Sequence, residues 1–458
     1  MPLMKNQIHT ASIEGYTAQG AGVTHIDGMA VFVPGTARGD VCRIRLVKVL
    51  KNYAFGRLEE LLESSPYRIS PDCAAFPKCG GCQFRHISYE EELWQKQRRV
   101  WDAMRRIGGF DLPEPGITGS PETEGYRNKA QFPVGDTDGK VAWGFFRSRS
   151  HDLIPLQGCA IQDARACAAA DAVCAWADVH GVRPYDETTG KGLLRHIYAR
   201  TGKAGLHLAL VVTHDNIPAS EDLLMRVQAA CPDLCGLVLN INTRRDNVIL
   251  GDTCRTLWGA DRLEDDLMEA SFRLSPLSFY QVNHAQTQQL YAHAIACAGL
   301  DETTVALDLY CGIGTITLAL AKQCKTVIGA EIVPQAIEDA KENARRNGIQ
   351  NAQFFCGDAG ETAAHLAKEG FAPDVIVCDP PRKGMDEAAI NAILQMNPKR
   401  IVYVSCECET LARDAKLLAQ GGYTLQHVHA FDMFPRTGHV ETVALLRRTQ
   451  HRKDSSND

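Results

Sequence analysis

"ALDLYCGIGTITLALA", Ala306 to Ala321, runs from an apolar segment through a turn carrying Gly312 and Gly314 into a second apolar segment with helical spacing. Glycines let a backbone approach a ligand closely, and a strand, glycine turn and helix in that order set the turn at a strand's carboxyl end, where open α/β sheets bind ligands. The downstream sequence extends the pattern. "KTVIGAEI", "PQAIEDAKENARRNG", "NAQFFCGD", "PDVIVCDPP" and "RIVYVSC" alternate strand and helix signals, within a region running from about residue 271 to 446. Such alternation predicts an α/β unit with a doubly wound, mainly parallel sheet.

The strand ends carry acids in register. Asp308 lies in the first strand, and Glu331, 23 residues on, ends the second, where a carboxylate accepts hydrogen bonds from ribose hydroxyls. Asp358 ends the third, the place to meet an adenine edge. The dinucleotide signature G-x-G-x-x-G is incomplete, because Thr317 occupies the third glycine position, and no pyrophosphate has to be cradled. Adenosine without phosphates fits better, which points to S-adenosylmethionine. Asp379-Pro380-Pro381-Arg382 ends the fourth strand and forms a rigid wall near the methyl donor. Amino-group methylases carry an aromatic after the prolines to stack on the base; Arg382 stands there instead, which disfavours methylation of a ring nitrogen or exocyclic amine.

The fifth strand delivers Cys406 to the same carboxyl edge as Asp379 and the glycine turn. Uracil C5 is a poor nucleophile, but thiolate addition at C6 makes an enolate with carbanion character at C5. That chemistry needs a base to remove the C5 proton afterwards, and "GHVETVALL" offers Glu441 near a C-terminal strand. A small buried thiol and an exposed strand acid are the competing readings.

The 458 residues exceed the size at which one core stops growing, so two or three domains are expected; 45% hydrophobic and 23% charged residues are ordinary globular values. The N-terminus has no charged-then-apolar pattern and no run approaches eighteen apolar residues, so the expectation is a soluble, cytoplasmic protein with no membrane partner. In that compartment seventeen cysteines are expected to be buried, metal-bound or catalytic. A net charge of -6 leaves any nucleic-acid affinity to local patches. Residues 1–62 alternate as short strands of a small barrel, with Cys42, Ile44 and Leu46 on one face and Arg43 and Arg45 on the other, near Lys48, Lys51 and Arg57. "CAAFPKCGGCQF" spaces Cys73, Cys79 and Cys82 as C-x5-C-x2-C, Cys159 offers a fourth thiol, and such a set holds either zinc or a [4Fe–4S] cluster. Tyr89 to Gly109 reads as a helix with a glycine stop, residues 118–270 as mixed strand and helix, and 450–458 as a polar tail.

With "SFYQVN", "DLYCGIGT", "DPPRKG", "YVSC" followed by "TLARD", and "HVETV" in this order and spacing, the chain resembles the RNA uracil-5-methyltransferase family over nearly its whole length. The resemblance implies that Cys406 is the nucleophile and Glu441 removes the C5 proton. It implies that Gln281, Tyr310, Thr315, Glu331, Asp358 and Asp379, beside the Gly312 turn, line the methyl-donor pocket, and that Phe279 meets the flipped base. Its ribosomal RNA branch carries an N-terminal, OB-like TRAM barrel and the four-cysteine pattern. The expected organisation is therefore a TRAM barrel over 1–62, a central α+β domain over 63–270 with a [4Fe–4S] cluster on Cys73, Cys79, Cys82 and Cys159, and a Rossmann-like S-adenosylmethionine methyltransferase domain over 271–449. The partner implied is large-subunit (23S) ribosomal RNA, met by a monomer, and Arg127 and Lys129 of "GYRNKAQFPV" are candidate phosphate or target-loop contacts. One departure stands out: the family reads Ser-Cys-x-Pro where this chain has Cys408 in place of proline. The rival readings are a transfer-RNA enzyme, a non-catalytic RNA-binding assembly factor, a cytosine-5 enzyme, and a radical enzyme, whose usual C-x3-C-x2-C trio is not found here.

Overall fold

Alternating apolar residues near the N-terminus build a six-stranded sheet in the computed structural model, which describes residues 3–449; the expected tail at 450–458 lies outside them. The strands are β1 Ile8–Ser12, β2 Gly15–Tyr16, β3 Gly22–Ile26, β4 Met29–Val33, β5 Val41–Val49 and β6 Tyr53–Glu63, in the order β1-β5-β6-β4-β3-β2. Cys42, Ile44 and Leu46 of β5 are fully buried with Val31, Val33 and Ala54, as period-2 alternation requires. Arg43 and Arg45 face outward, but the expected basic face is largely neutralised. Arg43 pairs with Glu60 at 2.9 Å, and Arg45 and Arg57 both pair with Glu59, at 2.9 and 2.6 Å.

Helix α1, Tyr89–Ala103, starts on Ser88, whose hydroxyl accepts from the Glu91 amide at 3.3 Å, with Glu90, Glu91 and Glu92 in the first turn where the helix dipole favours anions. It continues as a π-helical turn, Met104–Gly108, and stops at Gly109, whose φ of 75° is left-handed. Glu91 pairs with Arg38 of the barrel at 2.7 Å, while Val100, Ala103 and Met104 enter the core of the C-terminal unit. One helix thereby packs against both ends of the chain. Strand β7, Gly116–Thr118, follows. The central unit is a seven-stranded sheet ordered β10-β9-β8-β11-β12-β13-β14, from β8 Lys129–Thr137, β9 Lys140–Phe146, β10 Leu153–Pro155, β11 Leu194–Gly202, β12 Gly205–Val212, β13 Leu234–Ile241 and β14 Thr253–Gly259. Helices α2 Ala164–Val179 and α3 Ser220–Ala230 cover it, with Phe132, Trp143 and Trp176 buried between.

A hairpin, β15 Leu263–Leu267 and β16 Ala270–Leu274, shares the core of the C-terminal unit, so the expected boundary after residue 270 falls inside it. Then come α4 His284–Ala298, β17 Val305–Leu309, α5 Thr315–Ala321, β18 Thr326–Glu331, α6 Pro334–Arg346, β19 Ala352–Cys356, α7 Ala359–Lys368, β20 Val375–Cys378, α8 Glu387–Met396, β21 Arg400–Ser405, α9 Cys408–Gln420, β22 Tyr423–Phe431 and β23 Glu441–Arg448. The sheet order is β19-β18-β17-β20-β21-β23-β22-β7; β17 to β21 are parallel, and β23 is antiparallel to both β21 and β22. The order reverses between β17 and β20, and a crevice opens at such a switch point beyond the strands' carboxyl ends. Among the described residues no helix is long and apolar enough to cross a membrane.

Candidate functional site

At that switch point the glycine turn is built under strain. Tyr310 has a left-handed φ of 69°, uncommon for a residue with a Cβ, and Gly312 and Gly314 follow at 54° and 87°. Tyr310 and Cys311 both donate their amides to the Ala330 carbonyl, at 2.9 and 3.0 Å, and Glu331 accepts from the Gly312 amide at 3.2 Å and the Val333 amide at 3.0 Å. The second strand thus holds the turn. Phe279, Gln281, Tyr310, Gly312, Thr315 and Asp379 line one pocket here, closed by Tyr280, Tyr291, Cys311, Ile313 and Ile316. Asp358 caps α7, its Oδ1 accepting from the Gly360 and Glu361 amides at 2.9 and 3.2 Å. Thr317, in the third-glycine position, is buried and donates to Asp308.

Acids dominate the electrostatics. Burial, with Asp379 and Glu331 nearby, pushes the Asp308 carboxyl up to about 7, and among the described residues its Oδ1 has no hydrogen-bond partner. Burial alone pushes Asp379 up to about 7. Glu441, 3% exposed, is pushed up to about 8 by burial and by Asp379, against the opposing effect of Arg382.

The two sequence-predicted reacting residues meet through strand register. Ser405, last in β21, pairs with Thr442 of antiparallel β23 as the ladder ends, so Cys406 just beyond β21 and Glu441 at the start of β23 lie near each other, and the Glu441 charge acts on the Cys406 thiol. Cys406 is half-buried, and burial, then Glu441 and Asp379, push its thiol up to about 11, with Arg382 opposing. Cys408 goes elsewhere. It is fully buried as the first residue of α9, its thiol lying 3.2 Å from Glu409 Oε2 and 4.0 Å from the Arg99 carbonyl, and burial raises it well above the ordinary thiol range. Arg99 also clamps the loop, donating to Glu409 at 3.0 and 2.8 Å and to Glu407. The loop that carries Cys408 where the family pattern has proline is thus tied to α1 through Arg99.

Cys73, Cys79, Cys82 and Cys159 line a single cavity of about 320 Å³. The Gly81 amide donates to Cys79 Sγ at 3.4 Å, and burial pushes Cys82 and Cys159 up to about 11 and 12. Arg127 lines this cavity rather than the glycine-turn pocket, as do Arg382 and His439. Lys129 takes the other direction. Its ammonium lies 5.9 Å from the centre of the Phe279 ring, and burial, with Arg200 and Arg127 nearby, lowers it to about 8. Phe279 itself is 65% exposed, unusual for a ring with core as its alternative.

Several residues escaped the sequence reading. Tyr280, Tyr291, Ile313 and Ile316 of the pocket carry no spacing signal. Lys96 is fully buried between Glu92 and Asp432, at 2.7 and 2.6 Å, and also donates to the Phe434 carbonyl at 3.1 Å, fixing the loop that leads to Glu441. On the barrel, Phe32, Tyr53 and Phe55 form an outward aromatic patch with ring centres 5.5 to 5.9 Å apart, and Lys48 pairs with Phe55 across β5 and β6. Their alternation with buried Val31, Val33 and Ala54 was the available signal.

Comparison with known proteins gives consistent results. Residues 259–449 match the family described as tRNA (Uracil-5-)-methyltransferase, and residues 2–58 match the TRAM domain. The chain is 44% identical, over 97% of its length and 98% of the relative's, to an uncharacterized RNA methyltransferase of Halalkalibacterium halodurans, and 41% identical, over 98% of each, to one of Clostridium acetobutylicum. Among solved structures it is similar to the Pyrococcus abyssi tRNA (uracil-54, C5)-methyltransferase in complex with S-adenosyl-L-homocysteine, with a TM-score of 0.77 and 26% identity over 96% of this chain and all of that one.

Proposed function

This chain belongs to the RNA uracil-5-methyltransferase family, and on that premise we propose that it methylates C5 of a uridine in large-subunit (23S) ribosomal RNA through a covalent cysteine adduct. The observation that supports the reading is the β21–β23 register, which ends at Ser405 and Thr442, next to a thiol and a buried carboxyl that both feel the Asp379 charge. Cys406, as thiolate, adds to C6 of the extruded uracil and leaves an enolate nucleophilic at C5. The bound sulfonium supplies an electrophilic methyl for that carbon and a positive charge that favours the thiolate. Glu441 in its ionised form, a stronger base than a free carboxylate because burial raises it, then takes the C5 proton, and the C5–C6 double bond re-forms as Cys406 leaves.

The pocket suits a cationic donor. Asp308, Asp379 and Glu441 are three crowded acids; among the described residues no salt bridge joins any of them, Arg382 acts on Glu441, and Asp308 Oδ1 is unpartnered. In this reading Gln281, Tyr310, Gly312 and Thr315 surround the methionine end, and Glu331 and Asp358, whose Oδ1 caps α7, serve the ribose and adenine. Phe279 stacks on the target base, with Lys129 beside it and Arg127 toward the backbone. The barrel's aromatic patch beside Lys48 gives single-stranded RNA a stacking platform.

The four cysteines fit a [4Fe–4S] cluster better than zinc. Tetrahedral zinc at ~2.3 Å holds its sulfurs about 3.8 Å apart, whereas among the described residues no three of these thiols gather within 4.8 Å. The cavity between them leaves room for a wider group. Methyl transfer moves no net electrons, so Cys73, Cys79, Cys82 and Cys159 would hold such a group to shape the surface beside Arg127 and Arg382.

The similarity to the Pyrococcus tRNA enzyme favours a second reading, in which the substrate is transfer RNA. Incubation with labelled S-adenosylmethionine and either 23S ribosomal RNA fragments or transfer RNA transcripts, followed by nucleoside mass spectrometry, decides between them. 5-Methyluridine in the ribosomal fragments supports the proposal; label in transfer RNA alone replaces the substrate, and label in a nucleoside other than 5-methyluridine sinks the chemistry.

A further inference from the structure

Three histidines meet away from the pocket, where helix α4 crosses the outer strands of the eight-stranded sheet. His293 of α4 and His427 of β22 approach Nε2 to Nε2 at 3.0 Å, and one ring nitrogen from each of His293, His427 and His429 lies within 4.8 Å of the others. His293 and His429 are half-buried, and His427 lies at the open side of the group. His427 and His429 stand two apart in one strand, which puts them on the same face, and the face is the one α4 covers. Among the described residues no carboxylate bonds to any of the three, so no salt bridge accounts for the grouping.

The rings are also held in place. The Thr118 hydroxyl of β7 lies 2.8 Å from His429 Nε2. Gly116, paired with His429 across β22 and β7, leaves room for the ring, because a Cβ there would lie 2.7 Å from it. Phe431 walls the opposite side, its ring centre 5.0 Å from that of His429 and 5.4 Å from that of His293.

From this geometry we propose that His293, His427 and His429 bind one divalent transition-metal ion, zinc being the best match. Imidazole nitrogens suit zinc, copper and nickel, and zinc held tetrahedrally at ~2.0–2.1 Å sets its nitrogens about 3.3 Å apart, close to the separation of the His293–His427 pair. With His429 ligating through Nδ1, Thr118 on Nε2 acts as the outer hydrogen-bond partner that orients the ring. The fourth position is left to water. The ion ties α4, which starts directly after the Phe279–Asn283 segment, to the strand that runs into Asp432. None of this rests on the proposed methyl transfer.

The test uses the full-length protein titrated with zinc by calorimetry and with cobalt by visible spectroscopy, wild type beside His427→Ala, His293→Gln and Thr118→Val, with circular dichroism to check folding. Cobalt on thiolates shows an intense near-ultraviolet charge-transfer band that imidazoles do not give, which separates this site from the four cysteines. The expected result is one cobalt equivalent without that band, lost in both histidine variants, and zinc affinity about 10–100-fold weaker in Thr118→Val. Unchanged stoichiometry and affinity in folded His427→Ala and His293→Gln, or metal uptake always accompanied by the thiolate band, would overturn it.

Discussion

Replacing Lys96 with methionine keeps most of the side chain's volume and deletes its charge. The wild-type ammonium is fully buried and donates to Glu92 Oε1 at 2.7 Å, Asp432 Oδ1 at 2.6 Å and the Phe434 carbonyl at 3.1 Å. Burial disfavours that charge, but Glu92 and Asp432 outweigh it and hold Lys96 above its usual range. Without the lysine, two carboxylates face each other in a buried interface. Glu92 is already pushed up to about 7 by burial, and among the described residues only Arg436, 3.9 Å away, remains as a cation partner. Breaking such a buried pair costs about 3–5 kcal/mol. The sign of the pH dependence is set by the carboxyl. A folded-state value raised above the unfolded one means that the folded protein binds the extra proton, so stability falls as pH rises from the unfolded value through the folded one. In the variant the raised window widens, at about 1.4 kcal/mol per unit. Urea denaturation followed through Trp94 and Trp101 of α1 should show about 3–5 kcal/mol lost near pH 8 and at least about 1 kcal/mol less lost near pH 5.5. Adding Glu92→Gln and Asp432→Asn to Lys96→Met should recover much of the deficit. A loss below about 1 kcal/mol near pH 8, or an equal loss at both pH values, refutes the reasoning.

Cys408→Ala should leave methyl transfer within about twofold while costing about 1 kcal/mol in a denaturation curve, since the thiol is buried beside α1 and bonds to Glu409, away from the glycine-turn pocket; abolished transfer in a folded variant would move the chemistry to Cys408. Binding of S-adenosylmethionine should release protons between about pH 5 and pH 8, because a cation lowers the raised values of Asp379 and Glu441. Calorimetry in two buffers of different ionisation enthalpy reads that release directly, and proton uptake contradicts it. Tyr53→Ala should weaken RNA binding about 5- to 150-fold, the loss of one stacked base at about 1–3 kcal/mol, and leave turnover at saturating RNA unchanged; equal affinity would remove the barrel's aromatic patch from the RNA path.

Local pattern carried much of the fold. The Gly312 turn, the run of strands from Val305 to Ser405 and the alternation through Val41–Val49 are encoded within a few residues, and the structure agrees with them. Long-range pairing was not legible. Lys96 finds Asp432 across 336 positions and Arg99 finds Glu409 across 310, and no periodicity announces either. The same limit explains the barrel: alternation gave the outward arginines, but only the folded pairing revealed Glu60 opposite Arg43 and Glu59 shared between Arg45 and Arg57, which stand opposite each other. In the central unit, β12 is buried along all eight residues, and a continuous apolar run has no period to distinguish strand from helix. Within the site, strand-end residues could be read because a strand's last residue is a fixed place, whereas Tyr291 arrives from a helix face and Cys408 turns inward on a helix start.

The most direct test of the central claim is intact-mass and denaturing-gel analysis of the protein incubated with S-adenosylmethionine and RNA carrying 5-fluorouridine, wild type beside Cys406→Ala and Cys408→Ala. Fluorine at C5 blocks proton removal and traps the adduct. The account predicts a covalent protein–RNA species, mapped to Cys406 by peptide mass spectrometry and absent only from Cys406→Ala; no adduct in a wild-type protein that binds both S-adenosylmethionine and RNA would contradict it.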